Sequence, residues 1–156
     1  MLSGIHDGYE IDDDFGRLDF RKMESWLTAT YWSPGIRVPE ILKGARNSAL
    51  NLGCYRDGEQ VGYLRVASDK TRFAYIMDVY VAEGHRKRGL ARRLVEAAMA
   101  HADLADVYTW LLATRDAQPV YAKSGFALLP EPGNWMIIRK DKARPAPESI
   151  TPPVIP

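Results

Sequence analysis

The sequence predicts a single-domain α/β (α+β) protein, with a mixed, mostly antiparallel sheet of six to seven strands flanked by about four helices. Three observations predict it. Two alternating apolar runs, Leu50 to Tyr55 and Val61 to Ala67, are joined by a segment containing Asp57-Gly58, a strong hairpin signal. The run from Phe73 to Val81 is dense in aromatic and β-branched residues, as a central strand is. From Gly89 to about Ala102, Leu90, Leu94, Ala97 and Ala98 recur at helical spacing, while Arg92, Arg93 and Glu96 take the other side.

The remaining elements follow from local signals. Asp19 can cap a helix from Phe20 to about Thr28, with Phe20, Met23, Trp26 and Leu27 as its apolar stripe and Tyr31-Trp32-Ser33-Pro34-Gly35 as its end. Pro39 suits the first turn of a second helix reaching Ala45. A strand is expected from Val107 to Ala113, then a short helix from Ala117 to Lys123 stopped by Gly125. Two last strands are expected near Phe126 to Leu129 and Trp135 to Arg139. From Asp141 the chain is proline-rich and poor in large apolar residues, so residues 141–156 are expected to be disordered or draped over the surface.

Composition narrows the function classes. A chain of 156 residues, 46% hydrophobic and 26% charged, is the size and balance of one globular domain. A formal net charge of +1 offers no global attraction to nucleic acid or anionic lipid. No apolar run is long enough to cross a bilayer, and an N-terminus carrying Asp7, Glu10 and Asp12 to Asp14 lacks a signal-peptide pattern, so a cytoplasmic location is expected. Cys54 is the single cysteine, and His6, His85 and His101 lack ligand spacing, so no metal centre is expected. Cys54 sits in an alternating apolar stretch and reads as core.

The most informative stretch is His85-Arg86-Lys87-Arg88-Gly89-Leu90-Ala91-Arg92-Arg93-Leu94, a basic, glycine-containing turn between a strand and a helix. Helix N-termini leave N–H groups unpaired and carry the positive end of the macrodipole, so such a turn suits a pyrophosphate. Gly89 lets the backbone come close, Ala91 keeps the first turn narrow, and Arg86, Lys87, Arg88 and Arg92 add charge. A solvated basic patch or a nucleic-acid contact is the commoner fate of a charge run, but neither requires a strand, a glycine and an apolar stripe to coincide. The glycine patterns of dinucleotide and nucleoside-triphosphate loops are missing.

Val79-Tyr80-Val81 followed by Arg86-Lys87-Arg88-Gly89-Leu90-Ala91 resembles the Arg/Gln-x-x-Gly-x-Gly/Ala acetyl-CoA motif of the GNAT superfamily of N-acetyltransferases. Downstream, Asp116 to Phe126, with Tyr121 four residues before Gly125-Phe126, is similar to the second signature of that superfamily. The resemblance covers element order from about residue 9 to 140. It implies an acetyltransferase domain over residues 1–140, a further strand near residue 9, and central strands that splay where pantetheine enters.

It also implies roles. Main-chain groups at Val79, Tyr80 and Val81 would pair with pantetheine, Arg86 to Arg92 would surround the diphosphate of acetyl-CoA, and Asp116 joins that cofactor set. Tyr121 would protonate the departing thiolate. Asp78 is a candidate base, since alternation puts Ile76, Asp78 and Tyr80 on one face and an acid in an apolar strand needs a partner or a use; a structural ion pair is an equal alternative. Tyr31, Trp32 and Arg37 lie in the connection that walls the acceptor site in similar proteins, and Trp135 and Tyr80 are further candidates for that wall. The reaction implied is acetyl transfer from acetyl-CoA, with no metal, to a primary amine of a small molecule or protein by direct attack in a ternary complex. The alternative is a non-catalytic acyl-CoA-binding sensor or assembly module, and pairing into a homodimer stays open.

Overall fold

A computed structural model describes residues 5–140 of the chain. It comprises two compact units, one ending at Phe126 and one beginning at Ala127. The first contains β1 (Tyr9–Asp12), α1 (Phe20–Leu27), α2 (Val38–Arg46), β2 (Leu50–Arg56), β3 (Glu59–Ser68), β4 (Phe73–Val81), α3 (Leu90–Met99), β5 (Thr109–Leu111) and α4 (Gln118–Ala122). The expectation for the tail from Asp141 concerns residues outside those described.

Local chemistry sets the boundaries. The Asp19 carboxylate accepts from the Lys22 backbone N–H at 2.9 Å and caps α1. Pro39 occupies the first turn of α2. Between β2 and β3, Asp57 (φ 50°) and Gly58 (φ 82°) both adopt left-handed backbone, the turn whose twist matches its flanking strands.

The strands lie in the order β1-β2-β3-β4-β5, antiparallel except for the parallel β4–β5 pair. Alternating side chains feed two cores. On one face Leu52, Cys54, Leu64, Val66, Ala74 and Ile76 pack with Leu90, Leu94, Val95 and Ala98 of α3. On the other, Tyr63 packs with Met23 and Leu27 of α1 and Ile41 of α2. Cys54 is fully buried, and burial pushes its thiol up to about 11.

One glycine in this sheet answers to a close approach. A methyl group on Gly53 would stand 2.3 Å from the Tyr55 hydroxyl oxygen, because the Tyr55 ring folds back over that backbone. Tyr55 is 2% exposed and has no room to swing away. Gly53→Ala is therefore expected to lower the free energy of unfolding by about 1–3 kcal/mol, read as a shift of the urea midpoint at unchanged slope.

β4 departs from simple alternation. Tyr80 pairs with Tyr63 and Met77 with Arg65, so two residues, Asp78 and Val79, stand opposite Leu64 alone. Asp78 takes φ 54° to make this bulge. The expected shared face of Ile76, Asp78 and Tyr80 is thereby corrected: Ile76 belongs to the α3-side core, whereas Tyr80 packs on the α1–α2 side. An extra residue reverses the parity of every side chain after it.

The second unit gives the other correction. Among the described residues it contains a single 3-10 turn, Pro132–Asn134, held by Asn134 N–H to the Glu131 carbonyl at 3.0 Å, and neither of the two expected strands. The sheet thus has five strands rather than six to seven. The β-forming residues of Trp135 to Arg139 supply propensity, but propensity forms a strand only against a partner, and Pro130 and Pro132 each lack a ladder donor.

Candidate functional site

The sheet opens beside β4. Only Phe73, Ala74 and Tyr75 pair with β5, opposite Thr109, Trp110 and Leu111. From Ile76 to Val81 the strand keeps β3 on one side and, among the described residues, has no strand on the other. Val79, Tyr80 and Val81 lie along this opening. The Val81 carbonyl already accepts from Arg86 Nε at 2.8 Å.

The chain leaving β4 forms a cradle of unpaired amides. Lys87 (φ 61°) and Gly89 (φ 74°) are both left-handed, so the backbone curls and turns its N–H groups to one side. The first bond of α3 runs from Arg93 N–H to the Gly89 carbonyl at 3.0 Å. Among the described residues, no backbone or side-chain acceptor takes the N–H groups of Lys87, Arg88, Gly89, Leu90, Ala91 and Arg92. Unpaired donors of this density at a helix start suit an anion. Lys87, Arg88 and Gly89 are exposed, so the cradle is open.

The basic side chains divide their work. Arg86 caps β4 through its Nε and lies 5.3 Å above the Tyr80 ring, so what it brings to the cradle is charge at one remove. Arg92 pairs with Glu96 at 2.6 Å, one turn along α3. Lys87 and Arg88 are the cations closest in sequence to the free amides.

Tyr121 lies on α4, its ring packed edge-on to Phe126 at 6.4 Å and against the α3-side core. Gly125, at φ 94°, ends that helix in a conformation glycine alone adopts easily. Burial pushes the Tyr121 phenol above its ordinary value, and Tyr31 and Asp116 beside it add to the effect. Tyr31, Asp116 and Tyr121 are thus brought together, although they come from three different segments.

The connection between α1 and α2 reaches this group. The Tyr31 hydroxyl accepts from the Arg115 backbone N–H at 2.9 Å, with the Arg115 guanidinium 4.0 Å above the Tyr31 ring. Trp32 donates its indole N–H to Asp78 Oδ1 at 3.2 Å. Arg65 Nε meets the other oxygen of Asp78 at 2.6 Å. Arg37 stands apart at the start of α2, 3.9 Å from Glu24. Tyr80 stacks on Trp26 at 5.2 Å. Trp135 belongs to the second unit. Sequence reasoning missed Arg65, Arg115 and Trp26, because each acquires its role through a contact distant in sequence.

A family model described as the acetyltransferase (GNAT) family matches residues 9–126. This chain is a GNAT-family protein. The match takes in every strand and helix of the first unit, including the cradle and Tyr121. A GNAT-family protein of known structure from Xanthomonas campestris pv. campestris is 34% identical, with a TM-score of 0.81 over 88% of this chain and 96% of that one. The fold is shared further. A GNAT acetyltransferase from Elizabethkingia anophelis with acetyl-CoA bound is 16% identical, with a TM-score of 0.62 over 80% of this chain and 79% of that one. A Trypanosoma brucei acetyltransferase is 19% identical, with a TM-score of 0.62 over 86% and 99%. No curated protein matches the sequence. Membership of the GNAT family makes acetyl transfer from acetyl-CoA the general chemistry of this fold. Among the described residues no helix is long and apolar enough to cross a membrane, and no group of histidine, cysteine and carboxylate residues is arranged to hold a metal.

Proposed function

We propose that this protein is an N-acetyltransferase that moves an acetyl group from acetyl-CoA to a primary amine by direct attack in a ternary complex. The observation that carries this reading is the pairing of an opened β4 edge with a run of unpaired amides from Lys87 to Arg92. The donor set fits the cofactor: N–H groups and cations for a diphosphate, and a strand edge for the amides of pantetheine. Bound there, acetyl-CoA supplies an acetyl group already activated as a thioester.

The chain's own residues do the rest. The amides of residues 87–92, with Lys87 and Arg88, hold the diphosphate, and Asp116 lies beside Tyr121. The main chain of Val79 to Val81 orients the pantetheine arm, and a main-chain N–H of this stretch polarises the acetyl oxygen. Tyr121 keeps its proton at neutral pH and delivers it to the departing sulfur. The Tyr31-Trp32 connection bounds the amine, with Arg37 further out. The amine, with an ordinary pKa near 10.4 for a lysine-like group, must shed a proton before attack, and water in the open site carries it away.

The test joins binding to turnover. Calorimetry should show the full chain binding acetyl-CoA, and release of free thiol from acetyl-CoA should rise on adding one or more members of a panel of amines, amino acids and N-terminal peptides. Binding with no thiol release for any member would favour the sensor, and absence of binding would refute the reading.

A further inference from the structure

The bulge at Asp78 and the connection between α1 and α2 are joined by a set of contacts that neither element requires for its own sake. The carboxylate of Asp78 is 7% exposed and has both oxygens engaged, one by Arg65 Nε at 2.6 Å and the other by the Trp32 indole at 3.2 Å. Arg65 is itself held in place: its Nη1 reaches Ser48 Oγ at 3.4 Å, and its guanidinium lies against Gly44 of α2, 3.5 Å from where a methyl group there would stand. The next residue to Trp32 reaches the opposite way. Tyr31 accepts from the backbone of Arg115, which follows β5. The Tyr31 and Trp32 rings meet edge to face at 5.0 Å, so the two attachments act through one rigid unit.

We propose that Tyr31 and Trp32 form a strap fastened across the opened end of the sheet, to β4 at Asp78 and to the β5–α4 connection at Arg115, with Asp78 as its positioning residue. The strap limits the access of water to the thioester and sets the direction from which an amine enters. This rests on the acetyltransferase reading for its consequence, but not for its existence. Asp78 acts through Trp32. With both oxygens committed to donors and Arg65 beside it, its carboxylate is occupied in holding the strap.

The geometry explains a choice of residue. Left-handed backbone at a non-glycine position is costly, and asparagine and aspartate tolerate it best. Glycine would make the bulge more easily, but only a side-chain acceptor can receive both Arg65 and Trp32. The bulge and the strap thus share one residue.

Two variants test this in the full-length chain. Asp78→Asn keeps the shape and the tolerance for φ 54° but weakens a charge-assisted acceptor. Trp32→Phe keeps a ring and removes the indole donor, at a residue exposed enough to be changed without loss of fold. In the ¹H–¹⁵N spectrum the Trp32 indole N–H, assigned by its disappearance in Trp32→Phe, should exchange with solvent about tenfold faster in Asp78→Asn, the loss expected for one hydrogen bond to a charge. Amide exchange at Tyr31, Trp32, Ser33 and Gly35 should quicken in both variants. With acetyl-CoA and no amine, both should release thiol about threefold faster than the parent. In that reaction water adds its oxygen to the acetyl carbon, the carbon–sulfur bond breaks, and acetate and free coenzyme A leave with the proton on sulfur. Unchanged indole exchange in a folded Asp78→Asn, or unchanged exchange of these four amides in Trp32→Phe, overturns the strap. If the parent fails to bind acetyl-CoA while the exchange results hold, the acetyltransferase reading falls and the strap stands.

Discussion

Replacing Tyr121 by phenylalanine should lower kcat by about two to three orders of magnitude, the contribution of a well-placed general acid. The affinity for acetyl-CoA, measured by calorimetry, should change by no more than about threefold, because the substitution removes a hydroxyl and keeps the ring that packs against Phe126. The direction of the phenol's shift makes the expectation sharper. Burial raises Tyr121, so it holds its proton at every pH below the ordinary tyrosine value of about 10. The deficit of Tyr121→Phe should therefore be constant across neutral and mildly basic pH. Equal losses in turnover and affinity would assign Tyr121 to packing, and a deficit that appeared only at one end of the pH range would assign the proton to another group.

The second large effect is expected at the cradle. Gly89 has φ 74°, and a methyl group placed on it would meet no atom within 4 Å. The Cβ of Gly89→Val therefore meets no protein atom. The substitution costs about 1–2 kcal/mol in backbone strain, because a β-branched residue is held in left-handed backbone. The strained, branched residue is expected to disturb the turn that carries the free amides. Acetyl-CoA affinity should fall about a hundredfold, equivalent to the loss of one or two hydrogen bonds to a charged group, while circular dichroism remains that of the parent. If affinity stays within about twofold of the parent, the diphosphate is held elsewhere.

Much of the first unit was legible because its signals are local. Asp19 caps its own helix, Pro39 enters the first turn of the next, and Asp57-Gly58 makes the turn it encodes. The strand from Phe73 to Val81 has the expected limits. The turn of free amides was legible for the same reason: a glycine and a run of cations adjoin the start of the helix. The bulge was not. It arises from how β4 registers against β3, and nothing within Ile76 to Tyr80 states that Asp78 and Val79 will share one partner. Arg65 and Arg115 were hidden likewise, since each acts on a residue that the chain meets only after folding. The opposite error befell Trp135 to Arg139, where the residues announced a strand but a strand is a relation between two segments.

Beyond its place in the site, the doubled step at Asp78 and Val79 divides one strand into two independent registers. Upstream, even-numbered residues serve the interior beneath α3; downstream, odd-numbered ones do. At and beyond the step, Asp78 and Tyr80 turn instead to the α1–α2 side, where Asp78 meets Arg65 and Trp32 and Tyr80 stacks on Trp26. A single kinked position thus lets one strand serve two different cores.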